Sequence, residues 1–167
     1  PAARGPRGPR PAAAMAAAGP LLGACFEGQL EPPDGAACEL AYSFQASVLD
    51  PMPAAVRRQR QALRLSCSAG VQCIAATCNI PVLGLQEEEV VISVEPAAGD
   101  GSRRLMLQSL KRPDLGVTLL RLEPGGQLVG GDDSWEPDQP PIIRARRRVG
   151  AAAVSPAARR PPAQAKA

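Results

Sequence analysis

The fold is decided within residues 61–95, which read QALRLSCSAGVQCIAATCNIPVLGLQEEEVVISVE. This stretch holds three of the five cysteines of the chain and two runs in which apolar and polar residues alternate. Such alternation is typical of a strand with one buried face and one solvated face. The stretch therefore predicts a β-rich body that has these residues at its centre.

The same alternation continues on both sides of this stretch. Its clearest example is the run 38–48, where Leu40, Tyr42 and Phe44 fall on one face. Alternating runs separated by Gly- and Pro-containing turns occupy residues 24–31, 38–48, 63–67, 72–80, 90–94, 103–110 and 116–123. Residues 54–62 form either one short basic helix or an extended lead-in. The pattern predicts a mainly β fold, a single antiparallel β-sandwich or barrel of about seven strands.

Composition divides the chain into four parts. We predict a flexible Pro/Ala/Arg-rich arm over 1–20, the β-sandwich domain over 21–124, a Gly-rich acidic linker over 125–143 and a basic Pro/Ala/Arg-rich tail over 144–167. Residues 1–20 and 141–167 together carry ten Arg and Lys and no acid, so the body is acidic although the net charge is +3. The basic tails are expected to be disordered or extended. No apolar run approaches the ~20 residues that cross a bilayer, so we expect no transmembrane segment.

Histidine is absent from the chain. This removes the commonest general base and the commonest metal ligand. Ser66 and Ser68 have no neighbouring base in the sequence, and the spacing of Cys67, Cys73 and Cys78 does not fit the paired knuckles of a zinc site. We therefore expect a protein that is not an enzyme and that has no catalytic residues, no cofactor and no metal.

The cysteines leave two alternatives open. In an oxidising compartment an odd number of cysteines gives disulfides and one remaining thiol, whereas in a reducing compartment all can be small buried residues. Strand alternation places Cys67 and Cys78 inward and Cys73 on the opposite face. The candidate disulfide residues are Cys25, Cys38, Cys67, Cys73 and Cys78.

Residues 65–94 also resemble a known family. The order Leu65-Ser66-Cys67, Val71-Gln72-Cys73-Ile74, Cys78, Ile80 and Leu83, followed by an aliphatic strand, is similar to the membrane-proximal calf β-sandwich of integrin α subunits. The resemblance implies an extracellular spacer without enzymatic activity, with Cys67 and its neighbours in disulfides. It covers about 30 residues.

Several charged or aromatic residues are candidates for partner contact. We expect the triplet 87–89 and the acids around Trp135 to form a solvated acidic patch. Trp135 itself is either an anchor for a partner or a satellite packing contact. Arg144, Arg146, Arg147 and Arg148 are predicted to bind a partner electrostatically, with non-specific RNA or anionic lipid as further targets of the basic tails.

These features favour a non-catalytic structural or interaction module. The leading hypothesis is an accessory subunit of a larger protein assembly, within an organelle or inside the cell, docked through its extended tails. The alternative is an extracellular adhesion-receptor-type module, as the calf resemblance implies.

Overall fold

The computed structural model describes residues 19–67, 70–97 and 99–149. Within them, eight antiparallel strands close into a barrel in which each strand pairs with the next and β8 pairs with β1. The strands are β1 (Cys25–Leu30), β2 (Cys38–Leu49), β3 (Val71–Ile80), β4 (Leu85–Pro96), β5 (Arg103–Ser109), β6 (Val117–Leu122), β7 (Gln127–Gly131) and β8 (Ile143–Arg147). The prediction of a mainly β fold is confirmed, and the architecture is the closed barrel. The predicted arm and tail lie outside the described residues over 1–18 and 150–167.

The barrel interior is filled by the inward-facing residues of the alternating runs. Leu40, Tyr42 and Phe44 of β2 are all buried, as the alternation predicts. The Phe44 ring stacks with Tyr42 at a centroid distance of 6.0 Å and meets Phe26 edge to face at 5.8 Å. Aliphatic residues from the other strands complete this core, including Ile74, Leu105, Leu107, Leu120, Leu128 and Ile143. Apolar burial on this scale is the main force that favours a closed barrel over an open sheet.

A second apolar cluster lies on the outside of the barrel, under helix α1 (Ala54–Ala62). Val56, the buried residue of the helix, packs with Met52, Cys73 and Val90. The predicted strand over 63–67 is wrong, because these residues form no strand. Arg64 has a φ of 56°, which turns the chain after the helix. Leu63, Leu65 and Cys67 pack onto the outer cluster instead of pairing in the sheet.

A bulge in β4 changes which of its residues face the interior of the barrel. The pairing of β4 with β5 shifts between Val91 and Ser93. Val91 and Val94 therefore both pack against the interior core, whereas Ile92 belongs to the outer cluster. The alternation predicts Val90, Ile92 and Val94 together on the inward face. Val90 and Ile92 instead lie in the outer cluster, because Val91 continues the inward face, and the bulge then returns Val94 to the interior.

The barrel is closed by two strands that the sequence does not predict. β7 lies within the predicted linker, and β8 begins at Ile143 and takes in the first residues of the predicted tail. The folded body therefore extends past residue 124, and the strand count is eight. Gly28 permits the closure, because a Cβ at this position would clash with the Arg144 carbonyl group across the β1–β8 pair.

Candidate functional site

The topology sorts the connections between two ends of the barrel. Since successive strands run in opposite directions, connections 31–37, 81–84, 110–116 and 132–142 lie at one end, here called the acidic end. The β2–β3, β4–β5 and β6–β7 connections lie at the other end, here called the basic end. Residues 19–24 and 148–149, which precede β1 and follow β8, are also at the basic end. Each end is defined to include its connections and the half of every strand that adjoins them.

Charge is segregated between these ends. Among the described residues, the acidic end carries eleven acids: Glu31, Asp34, Glu39, Glu87, Glu88, Glu89, Asp114, Asp132, Asp133, Glu136 and Asp138. Its three bases are Lys111, Arg112 and Arg144. The basic end carries ten arginines: Arg57, Arg58, Arg60, Arg64, Arg103, Arg104, Arg121, Arg146, Arg147 and Arg148. Its five acids are Glu27, Asp50, Glu95, Asp100 and Glu123. The barrel therefore has a strong charge asymmetry along its axis.

The four candidate arginines of the predicted tail belong to the folded barrel. Arg144, Arg146 and Arg147 are residues of β8, and Arg148 follows it directly. Arg144 is 3.8 Å from a carboxylate oxygen of Glu31, and Arg148 Nη1 donates to a carboxylate oxygen of Glu27 at 2.9 Å. The prediction that residues from 144 onward form a tail is wrong for this part. Their sheet pairing also divides them, with Arg144 towards the acidic end and the other three at the basic end.

Trp135 lies in the β7–β8 connection at the acidic end. Its side chain is only 9% exposed, and it packs directly over Gly131, where any added side chain would meet the indole ring. Within the described residues, the indole Nε1 has no hydrogen-bond partner. The packing contact is thus present, and a role for Trp135 as a partner anchor stays a prediction.

The predicted solvated triplet is divided by β4, which begins at Leu85 rather than at residue 90. Glu88 is exposed and pairs with Lys111 on the outer face, but Glu87 and Glu89 point into the barrel and are 9% and 4% exposed. Ser109 donates its hydroxyl proton to Glu87. The Arg112 guanidinium donates to the other oxygen of Glu87 at 3.1 Å and 3.3 Å. Prediction from sequence misses this cluster because the predicted strand begins at residue 90 and leaves the triplet in front of it as a solvated patch.

Glu89 lies deeper in the barrel. Thr118 Oγ1 donates to Glu89 Oε1 at 2.9 Å, while Glu89 Oε2 is buried without a hydrogen-bond partner among the described residues. Burial, with a smaller contribution from the nearby Glu87 charge, raises the pKa of Glu89 to about 7. Burial also raises the pKa of Tyr42 well above its usual value, and Glu89 adds to this effect.

Cys78 faces the same cluster but is a poor nucleophile. Burial, with smaller contributions from the Glu89 and Glu87 charges, raises the pKa of the Cys78 thiol to about 11. The thiolate, which is the reactive form of cysteine, is therefore scarce near neutral pH. A carboxyl group with a pKa near 7 is suited to proton transfer. Glu89 is nevertheless enclosed by the packed interior, so its titration affects stability.

The five cysteines, Cys25, Cys38, Cys67, Cys73 and Cys78, are all free thiols in the structure. Cys78 faces the interior and Cys73 packs on the outer cluster, so their predicted opposite orientation is confirmed. Cys67 lies in the outer cluster, because its segment leaves the sheet. The predicted disulfides among these residues are absent from the structure.

The described residues contain no group of three or more His, Cys, Asp or Glu side chains arranged to hold a metal ion. In the same residues, no helix has both the length and the apolar character required to span a bilayer. No family model matches the chain, and neither the curated proteins nor the solved structures gave a significant match. The resemblance to the integrin calf sandwich stays a prediction.

Proposed function

We propose that this chain is a non-catalytic interaction barrel that docks through its basic end onto an acidic protein surface in a larger assembly. The observation that carries the proposal is the segregation of charge along the barrel axis. An asymmetric charge distribution orients a protein on an oppositely charged partner and accelerates their association.

The arginines at the basic end are largely available to a partner. Arg58, Arg104 and Arg146 are exposed, and none of them has an ion pair within the described residues. The chain continues from this same end into residues 1–18 and 150–167, which add six Arg and Lys and no acid. The sequence that adjoins the basic end on both sides is therefore basic as well.

The distribution of aromatic residues favours a protein partner over a nucleic acid. Proteins that bind single-stranded nucleic acids combine positive charge with exposed rings on which bases stack. Phe26, Tyr42 and Phe44 are buried in the core, and Trp135 is buried at the opposite end. The described part of the basic end thus offers charge without a stacking platform.

The proposed absence of catalysis rests on the chemistry of the interior cluster. Its most nucleophilic group, the Cys78 thiol, is held in the protonated form, and its titrating carboxyl group, Glu89, is almost fully buried. Neither group lies on the basic end, where we propose that the partner binds.

Binding of poly-L-glutamate, followed by fluorescence anisotropy at increasing salt, tests the proposal on the full chain. We expect binding that weakens with salt, because exposed charges are screened beyond the Debye length. Replacing Arg58, Arg104 and Arg146 together with Gln should weaken binding about tenfold, since three exposed pairs at roughly 0.5 kcal/mol each amount to about 1.5 kcal/mol.

Two control variants separate the ends of the barrel. Changing Asp114 and Asp138 to Asn and Glu136 to Gln alters an equal number of charges at the acidic end and should not weaken binding. Trp135→Ala should have no effect either. If either control variant loses binding to poly-L-glutamate while the triple arginine variant keeps it, docking through the basic end is refuted. Stronger binding to poly-uridine RNA or to anionic vesicles than to poly-L-glutamate would refute the choice of a protein partner.

A further inference from the structure

A small cleft opens at the mouth of the barrel on the basic end. It has a volume of about 190 Å³, and its lining includes Phe26, Leu122, Arg103 and Arg147. Arg103 shares the inward face of β5 with Leu105 and Leu107, and Arg147 shares the inward face of β8 with Ile143 and Ala145. Two strands on different sides of the mouth thus each direct one arginine towards the same cleft.

The Arg103 guanidinium has no counter-charge. Its Nη1 atom is buried without a hydrogen-bond partner, and within the described residues Arg103 forms no ion pair. Arg103 as a whole is half-buried, but a buried N–H donor without an acceptor is unfavourable, because it loses hydration and gains nothing in exchange. An arginine in this state is suited to bind an anion that enters the cleft.

Two acids lie at this mouth, Glu123 in the lining of the cleft and Asp100 next to the lining residue Gly101, and each carboxylate is already bound to another group. Glu123 accepts a hydrogen bond from Arg121 Nη2 at 2.9 Å. Asp100 accepts from the Ser102 hydroxyl at 2.6 Å and from the Ser102 backbone N–H at 2.8 Å. The positive charge of Arg103 and Arg147 therefore has no competing acid within ion-pair distance.

We infer that Arg103 and Arg147 form a binding site for a single oxyanion, a carboxylate or a phosphate group. The planar guanidinium offers paired N–H donors that match both groups in a bidentate geometry. The cleft is smaller than the 300–1,000 Å³ typical of sites for drug-sized ligands, so it fits one small group and not a whole cofactor. This inference deepens the proposed function, on which its biological use rests, because the oxyanion of a docked partner would occupy the cleft.

Isothermal titration of the full chain with inorganic phosphate and, separately, with acetate tests the site without any partner. Arg103→Gln should lose at least about tenfold in affinity for the bound anion, because charge-assisted hydrogen bonds are the strong ones. Lys111→Gln is the control: its side chain is exposed, lies at the acidic end and is outside the cleft, so the anion affinity of this variant should stay within about twofold of that of the original protein. Arg103→Lys should recover part of the affinity, since it restores charge without the fork.

A thermal melt separates loss of the site from loss of the fold. Without anion, Arg103→Gln should melt no lower than the original protein, because it removes a nitrogen donor that is buried without a partner. Phosphate or acetate should raise the melting temperature of the original protein and leave that of Arg103→Gln unchanged. The inference is overturned if neither anion binds, or if Arg103→Gln and Lys111→Gln weaken binding equally. If the protein binds the anion but does not bind poly-L-glutamate, the proposed function is refuted and the anion site is still supported.

Discussion

Glu89 should make the stability of the barrel depend on pH. Its carboxyl group is 4% exposed, and its pKa in the folded protein is about 7, against 4.5 for an unperturbed glutamate. Between these values the folded state binds more protons than the unfolded state. The stability that protonated Glu89 contributes to the folded state is therefore fully present below pH 4.5 and is lost as the pH rises through 7.

The size of this effect follows from the pKa difference. Each pKa unit corresponds to 1.36 kcal/mol, so ionised Glu89 costs about 3 kcal/mol of the free energy of unfolding at pH 8. Glu89→Gln keeps the shape and an oxygen that can accept from Thr118 but cannot ionise. We expect the variant to be more stable than the original protein at pH 8, by up to about 3 kcal/mol, and close to it at pH 4.5.

Urea unfolding followed by circular dichroism between pH 4.5 and 8 measures this difference. Other titrating groups contribute equally to both proteins, so the difference between the two stability curves isolates Glu89. Glu88→Gln is the control, because Glu88 is exposed on the outer face and pairs with Lys111. The free energy of unfolding of Glu88→Gln should stay within about 0.5 kcal/mol of that of the original protein at every pH. A stability difference for Glu89→Gln that does not change with pH would show that the carboxyl group is not the source.

The core and the thiols give three further predictions. Phe44→Ala should lower the free energy of unfolding by about 3–5 kcal/mol in urea titrations, because it leaves a cavity among the core rings; a loss below about 1 kcal/mol would contradict the packing. Gly28→Ala should cost about 1–3 kcal/mol or more, since its methyl group meets the Arg144 carbonyl group where β1 and β8 close the barrel, and an unchanged melting temperature would argue against this closure. When the native protein is alkylated and its intact mass is measured, Cys73 and Cys78 should stay unmodified, because both are buried and have raised pKa values. Denaturation should expose five reactive thiols. If two thiols fail to react after denaturation without reductant, the protein contains a disulfide.

The interior cluster and the charge asymmetry depend on one topological fact. Connections that are far apart in sequence meet at the same end of an antiparallel barrel. The acids near residues 34, 88, 114 and 136 are brought to one end in this way. A window of neighbouring residues cannot reveal this grouping, because it depends on the alternating direction of the strands.

Local sequence patterns determined the class of fold and several elements in detail. The alternation of Leu40, Tyr42 and Phe44 fixes one face of β2, because an extended chain places every second side chain on the same side. The basic helix over 54–62, one of two alternatives that the sequence left open, has the predicted bounds. These features depend on neighbours a few residues apart, and such interactions are encoded locally.

The remaining features depend on contacts between distant parts of the chain. β7 ends in two glycines, and β8 has only two apolar residues, Ile143 and Ala145, so the local signal of a strand is weak in both. Both are ordered by pairing with each other and with β6 and β1. The burial of Glu89 and the inward position of Arg103 likewise depend on where the closed sheet places them. Their chemistry arises from neighbours that are distant in sequence, because burial and pairing are properties of the folded barrel and not of any single segment.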